Sequence, residues 1–262
     1  MLLKCIIILT YNLTIYMIPK KIHYCWFGGS PLPESAKKCI ASWEKYLPDY
    51  EIKEWNESNF DVNCISYTKE AYASKKYAFV SDYARFKILY DEGGIYFDTD
   101  VEVIKQMDAI ICEGPFMGCE RDADPVNNIS IFVAPGLGLG VTPGHVLYGE
   151  IIEVYNGLHF IMQDGKMNLR TVVDYTTEIL VKYGLKNIPG IQKIENVLIY
   201  PSEYFCPKSV VDGKLRLTAN SYTVHHFDQS WQSPWRKYGR KLVLFLGGDK
   251  AKTFAKRILR LK

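Results

Sequence analysis

Strands alternating with helices predict an α/β fold: a single mixed, mainly parallel sheet flanked by helices. Three observations carry that expectation. Apolar residues switch along the chain between the period of two of a strand and the wider spacing of a helix. Glycine and proline mark the joints between those segments. The 262 residues, 48% hydrophobic and 23% charged, form a globular chain long enough for one large domain or two small ones with a sizeable core.

The elements follow in order. KKIHYCWFGG (20–29) reads as a first strand ending at a Gly-Gly turn. Pro33 and Glu34 open a helix that runs to about Tyr46 and closes before Pro48. YEIKEWN (50–56) alternates as a second strand. Ala78, Phe79, Tyr83, Phe86, Ile88, Leu89 and Tyr90 are spaced as in a helix, which predicts one helix over 68–91 stopped by Gly93. GGIYFDTD (93–100) is the next strand, and VEVIK (101–105) continues it. Further strands are expected near 115–119, 129–134 and 221–227, and helices near 143–156 and 168–183. No internal repeat or low-complexity stretch interrupts the series. In such sheets ligands sit beyond the carboxyl ends of the strands, and Asp98 and Asp100 stand where a strand ends.

Charge and cysteine content narrow the function. A formal charge of +3 is too small to indicate a nucleic-acid partner. The charge is unevenly spread, because ten Lys or Arg and one acid, Asp249, fall within 236–262. That tail carries +9 and leaves −6 on the rest. It mixes cations with Leu, Val, Phe and Trp, so 233–262 reads either as a basic amphipathic segment lying on an anionic membrane or as a packed helix with a solvated basic side. Seven cysteines without a C-x-x-C pair read as reduced thiols in a cytoplasmic setting. The three N-x-S/T sequons at Asn12, Asn56 and Asn128 are then chance matches. The apolar start of the chain is broken by Lys4 and Asn12 and lacks a cleavage site. Residues 1–16 are therefore read as an extension upstream of a natural start at Met17.

The two aspartates carry the chemistry. Residues i and i+2 of a strand point the same way, so Asp98 and Asp100 should converge. Close carboxylates repel unless a cation neutralises both. A hard divalent ion, Mg²⁺ or Mn²⁺, prefers oxygen ligands and commonly shares them with substrate phosphates. The bland alternative is a pair of solvated acids in an exposed turn. The apolar Ile95, Tyr96 and Phe97 just before them favour the edge of a core instead. One helical turn separates Asp82 from Arg85. The pair is either a surface ion pair worth under about 1 kcal/mol or a unit facing a sugar and its phosphate, since Arg forks onto phosphate oxygens.

The stretches IHYCWFGG, SDYARFKILYDEGGIYFDTDVE and HHFDQSW, in this order, resemble glycosyltransferase family 32, the DXD-containing sugar transferases. The family includes bacterial capsular and exopolysaccharide transferases and fungal mannosyltransferases. The glucosylating domain of the large clostridial toxins is a more distant relative. The resemblance covers 18–110 well, 195–232 moderately and 120–190 loosely. It implies a GT-A-type nucleotide-sugar-binding fold, with residues 17–232 as the catalytic domain. It also implies roles. Trp26 would lie against the nucleotide base; a core indole is the competing reading. Asp82 would accept hydrogen bonds from donor-sugar hydroxyls, and Arg85 would steady the sugar or phosphate. Tyr96 and Asp98 would contact ribose or metal, and Asp100 would bind the metal. Because neighbouring strand residues face opposite ways, only one of His225 and His226 would complete the metal site, and the family pattern favours His225. Ser230 and Trp231 would belong to a lid that excludes water.

On this resemblance the chain is expected to transfer a sugar from a UDP-sugar or GDP-sugar, UDP favoured, with Mn²⁺ or Mg²⁺ as cofactor. The acceptor is a glycan or lipid-linked saccharide in bacterial surface polysaccharide synthesis, and configuration is retained. The enzyme would work in the cytoplasm or on the inner face of the membrane, touching it through 236–262. No nucleophile or general base is evident. Glu120, Asp122 and Asp124 in CERDADP (119–125) are candidates for an acceptor-side carboxylate, against a plain solvated loop. GLGLG (136–140) lacks the spacing and placement of a dinucleotide-binding turn, and His145 and His159 are isolated and read as structural. Two rivals remain. A phosphohydrolase of the D-x-D kind would normally carry Thr or Val where Glu102 stands. A non-catalytic sugar-binding module would explain the aspartates but not Trp26, Asp82 and Arg85 together.

Overall fold

The computed structural model describes residues 17–209 and 212–228. The extension 1–16, Ser230 and Trp231, for which a lid is expected, and the basic tail 233–262 lie outside them. Among the described residues no helix is long and apolar enough to cross a membrane, and Cys25, Cys39, Cys64, Cys112, Cys119 and Cys206 are all free.

β1 (Lys21–Cys25) pairs in parallel with β2 (Glu51–Trp55) and with β3 (Gly94–Tyr96). β7 (Leu139–Val141) then inserts antiparallel between β3 and β5 (Phe116–Arg121). β9 (Val197–Tyr200) runs parallel to β5, and β8 (Gln192–Ile194) closes the edge against it. The order is β2-β1-β3-β7-β5-β9-β8, with β6 (Phe132–Val133) also on β5. The expected mixed sheet is present, and β7, β8 and β9 are strands that periodicity did not announce. β7 falls in the GLGLG stretch, where glycine hides the strand pattern.

Helices cover both faces. α1 (Glu34–Tyr46) begins after Pro33 and ends before Pro48, as expected, and buries Ala36, Cys39 and Trp43 at helical spacing. Its Trp43 donates a 2.7 Å hydrogen bond to the Val101 carbonyl. The single helix expected over 68–91 is two, α2 (Ser66–Ala73) and α3 (Tyr77–Glu92). Lys75 takes the left-handed conformation at φ 57°, and the Lys76 amide bonds back to the Ala71 carbonyl at 2.9 Å. That closes α2 although the apolar spacing runs on. α4 (Asp108–Ile111) is a single turn, and α5 (Val146–Asn156) and α6 (Val172–Lys182) match the two later helices expected. Thr171 and Asp174 cap α6 reciprocally. α7 (Ser202–Phe205) follows β9. One core cluster joins the sheet to α2, α3, α5 and α6, with Tyr83, Phe86, Tyr148 and Tyr155 at its centre. The other lies on the opposite face around Trp43, Phe97, Phe116 and Phe205.

The strand expected over 93–105 is also broken. β3 ends at Tyr96, and β4 (Val101–Val103) leaves the main sheet to pair antiparallel with β10 (Thr223–His225). Between them Asp98 and Asp100 sit in a turn closed by the Val101 amide on the Asp98 carbonyl at 3.0 Å. Strand alternation is therefore not what brings the two acids together. The approach to β3 is tight. Gly94 has φ +102°, and a Cβ there would come within 2.7 Å of the Lys21 carbonyl. His23, fully buried beside it, bonds the Gly93 carbonyl through Nε2 at 2.9 Å and accepts from Trp55 at Nδ1. Burial pushes His23 down to about 4, so it stays a neutral strut under the turn.

Candidate functional site

The site starts from α3. Asp82 and Arg85, one turn apart, are both buried, so they are not the surface ion pair that spacing allowed. Arg85 donates from Nη2 to Asp82 at 2.9 Å and from Nε to the Ser81 carbonyl at 3.0 Å. Its Nη1 reaches the Asp98 carboxylate at 3.3 and 3.4 Å. The guanidinium also lies over the Tyr96 ring, 5.0 Å from its centroid, and the Tyr96 hydroxyl donates to Asp98 at 3.1 Å. Burial pushes Asp82 up to about 7, against the pull of Arg85. Burial would lower Arg85, yet Asp98, Tyr96 and Asp82 together raise it. Arg85 therefore pairs with both acids, more closely with Asp82 than with Asp98, while burial keeps the Asp82 carboxyl above its ordinary value.

Asp100 turns the other way, to β10. Its carboxylate meets His225 Nε2 at 3.0 Å and accepts from the Asp228 amide at 2.9 Å. Burial alone would raise Asp100, but His225 and the Asp228 amide hold it below its ordinary value. The same partnership raises His225 despite its burial, with Asp98 and Glu120 adding to the pull. His225 Nδ1 is buried and makes no hydrogen bond. His226 points to the opposite side and binds Glu102 at 2.9 Å. The structure thus brings His225, not His226, to the aspartates. Asp98, Asp100 and His225 each offer a ligand atom, all within 4.8 Å of one another. Two carboxylates and an imidazole form a donor set that could hold a divalent cation.

Three other expected residues are placed less centrally. Trp26 follows β1, is half-buried, and donates its indole N–H to the Ser30 carbonyl at 2.5 Å. Asp122 is occupied, accepting from the Ser202 amide at 2.7 Å and its hydroxyl at 2.6 Å to cap α7. Asp124 binds Asn127 and is bridged to Ile129 in a tight turn. Neither acid is free to serve an acceptor. Ser202 explains why Asp122 looks like a functional acid in the sequence: its partner lies 80 residues away.

Gly136 is the functional position that the sequence left unassigned. Its carbonyl accepts from the Asp98 amide at 3.0 Å. A Cβ there would stand 1.9 Å from Asp98 Oδ2 and 3.0 Å from Arg85 Nη1. Its φ lies outside the left-handed region, so the demand is for space alone. Gly136→Ala is expected to push Asp98 off Arg85 and Tyr96 at a cost of about 1–3 kcal/mol. The same change made in an Asp98→Ala background should cost far less. Melting both pairs measures this, and equal costs in the two backgrounds would refute the contact.

Comparisons with known proteins follow from this geometry. Residues 33–117 match the family described as the glycosyltransferase sugar-binding region containing DXD motif. That span includes Asp82, Arg85, Tyr96, Asp98 and Asp100. "Subversion of eukaryotic traffic protein A" of Legionella pneumophila subsp. pneumophila, strain Philadelphia 1, is 27% identical over 126 residues, covering 38% of this chain and 18% of that protein. The chain therefore spans less than a fifth of the length of that curated relative. Among solved structures, PaToxG glycosyltransferase has a TM-score of 0.48 and 20% identity, covering 67% of this chain and 76% of the other. A glycosyltransferase involved in glycosylation of the major capsid of PBCV-1 has a TM-score of 0.45 and 14% identity, covering 79% and 94%.

Proposed function

We propose, from the match of residues 33–117 to the DXD-containing glycosyltransferase family, that the chain moves one sugar from a nucleotide-diphosphate sugar to a glycan or lipid-linked acceptor. UDP is the favoured nucleotide, and the setting is a bacterial surface polysaccharide. The observation that carries the reading is the convergence of Asp98, Asp100 and His225, each with a ligand atom within 4.8 Å of the others, beside a buried guanidinium.

When bound, a divalent cation neutralises the donor diphosphate and the charge that grows on it as the glycosidic bond breaks. Asp98, Asp100 and His225 are the residues that would hold it. Arg85 is kept cationic by Asp98 and adds fixed positive charge beside the leaving group, in a setting where water does not weaken it. Asp82, next to Arg85, takes hydrogen bonds from the donor sugar. Trp26, half-buried after β1, offers a flat apolar face for the nucleotide base. The acceptor hydroxyl attacks on the face the diphosphate leaves, so configuration is retained. Contact of the basic tail with an anionic membrane belongs to the same proposal.

The test is a panel of UDP- and GDP-sugars with and without Mn²⁺. Metal-dependent donor affinity and slow release of nucleoside diphosphate are expected, and both should vanish with EDTA. Release of inorganic phosphate from sugar phosphates would favour a phosphohydrolase. Donor affinity with no release in any acceptor mixture would leave a binding module.

A further inference from the structure

Glu120 stands outside the constellation already described, yet four observations aim it at the same place. First, β3 and β5 both run antiparallel to β7 between them, so they are parallel to each other. Tyr96 and Met117 both pair with Leu139 and therefore stand level, about 10 Å apart across two strand spacings. Asp98 lies two residues past Tyr96, and Glu120 three past Met117. One sheet edge carries both acids, with β7 and the Gly136 loop between them.

Second, the β5–β6 ladder slips at this residue. Cys119 pairs with Val133 and Arg121 with Phe132, so Glu120 is the extra residue of a bulge. Bulges re-aim a side chain and are enriched beside active sites. Third, Gly118, two residues before Glu120, packs on Phe205, whose carbonyl accepts from Thr223 of β10, so the end of β5 lies beside β10. In agreement, His225 and Glu120 feel each other's charge. Fourth, the carboxylate is half-buried, and among the described residues none forms a hydrogen bond or ion pair with it. The adjacent Arg121 has other partners, its Nε on the Ser130 carbonyl at 3.1 Å and its guanidinium over Phe132, although its charge still reaches Glu120. Leaving a half-desolvated carboxylate without a donor is costly, and a hydroxyl group of a bound substrate would supply one.

We propose that Glu120 is the acceptor-side catalytic residue: its carboxylate receives the attacking hydroxyl and takes its proton. This rests on the glycosyltransferase reading above. The acceptor oxygen forms the new bond to the anomeric carbon as the bond from that carbon to the phosphate oxygen breaks. The electron pair of the broken bond leaves on the nucleoside diphosphate. The hydroxyl proton passes to Glu120 and from there to solvent. Without an acceptor, water takes the same position and the donor is hydrolysed slowly.

Glu120→Gln keeps the shape and removes the proton acceptor. Calorimetry with the UDP- and GDP-sugar panel and Mn²⁺ should give wild-type donor affinity. Nucleoside diphosphate release, with water or octyl glycosides as acceptor, should fall about 10²-fold or more. Glu120→Asp keeps the carboxylate and should recover part of that loss. Wild-type release from Glu120→Gln overturns the proposal. Loss of donor affinity also overturns it, because Glu120 would then belong to the donor site. A sugar found attached to Glu120 by mass spectrometry of the wild type overturns it as well, by making the residue a nucleophile. A wild-type protein with no metal-dependent donor affinity would strike the proposed function itself, before Glu120 is reached.

Discussion

Asp100→Ala is expected to abolish turnover while the domain stays folded. Asp100 joins the turn after β3 to β10 and the residues just past it: its carboxylate binds His225 and the Asp228 amide, and its own carbonyl accepts from the His226 amide at 2.9 Å. The last of these is a backbone contact and survives the substitution. Losing the side-chain contacts costs about 1–3 kcal/mol, which a domain with two core clusters tolerates. The proposed cation site fares worse, since one of its two carboxylates is gone and His225 loses the partner that aims its Nε2. A loss of activity on the order of a thousandfold is expected, together with loss of Mn²⁺-dependent donor affinity. Thermal melting and nucleoside diphosphate release, measured on the same sample, check it. A folded variant that turns over at the wild-type rate would remove Asp100 from the metal site.

Arg85→Met should damage stability as well as activity. The side chain is 4% exposed and spans three groups: Asp82, Asp98 and the Ser81 carbonyl. Removing one member of a buried ionic set leaves the others uncompensated, at about 3–5 kcal/mol. Asp82 limits that cost by taking up a proton. Its folded value is already pushed up by burial, and without Arg85 nothing nearby holds it down. The native variant then keeps a proton that the unfolded chain releases above about pH 4. Its stability should fall as pH rises from there, which denaturant midpoints across pH would reveal. Arg85→Lys keeps the charge but cannot fork onto Asp82 and Asp98 at once. It should recover part of the stability and little of the turnover. Unchanged midpoints in Arg85→Met would mean that the guanidinium is not carrying the buried acids.

Much of this fold is legible in the sequence. Proline and glycine placed α1 correctly, because Pro33 and Pro48 act on the backbone wherever they occur. The pairing of Asp82 with Arg85 followed from helical spacing, although spacing left their burial open. Where the reading failed, a local signal was overruled from outside. The helix expected over 68–91 includes Ser74, Lys75 and Lys76, but the chain turns there. The strand after Gly93 was read as continuous, yet β10 draws β4 out of the main sheet.

The sequence by itself determined the chemistry on offer: two carboxylates one residue apart after an apolar strand, a neighbouring Asp–Arg turn, and a pair of histidines far along the chain. These are properties of residue type and short spacing. Only the tertiary structure decided which groups meet. His225 reaches Asp100 across 125 residues, His226 is spent on Glu102, Asp122 is spent on Ser202, and Gly136 leaves the space in which Asp98 sits. The physical reason is that ligand geometry and desolvation depend on distances between chain segments. Those distances are fixed by how β4 and β10 pair and by where β5 bulges, and no local pattern encodes them.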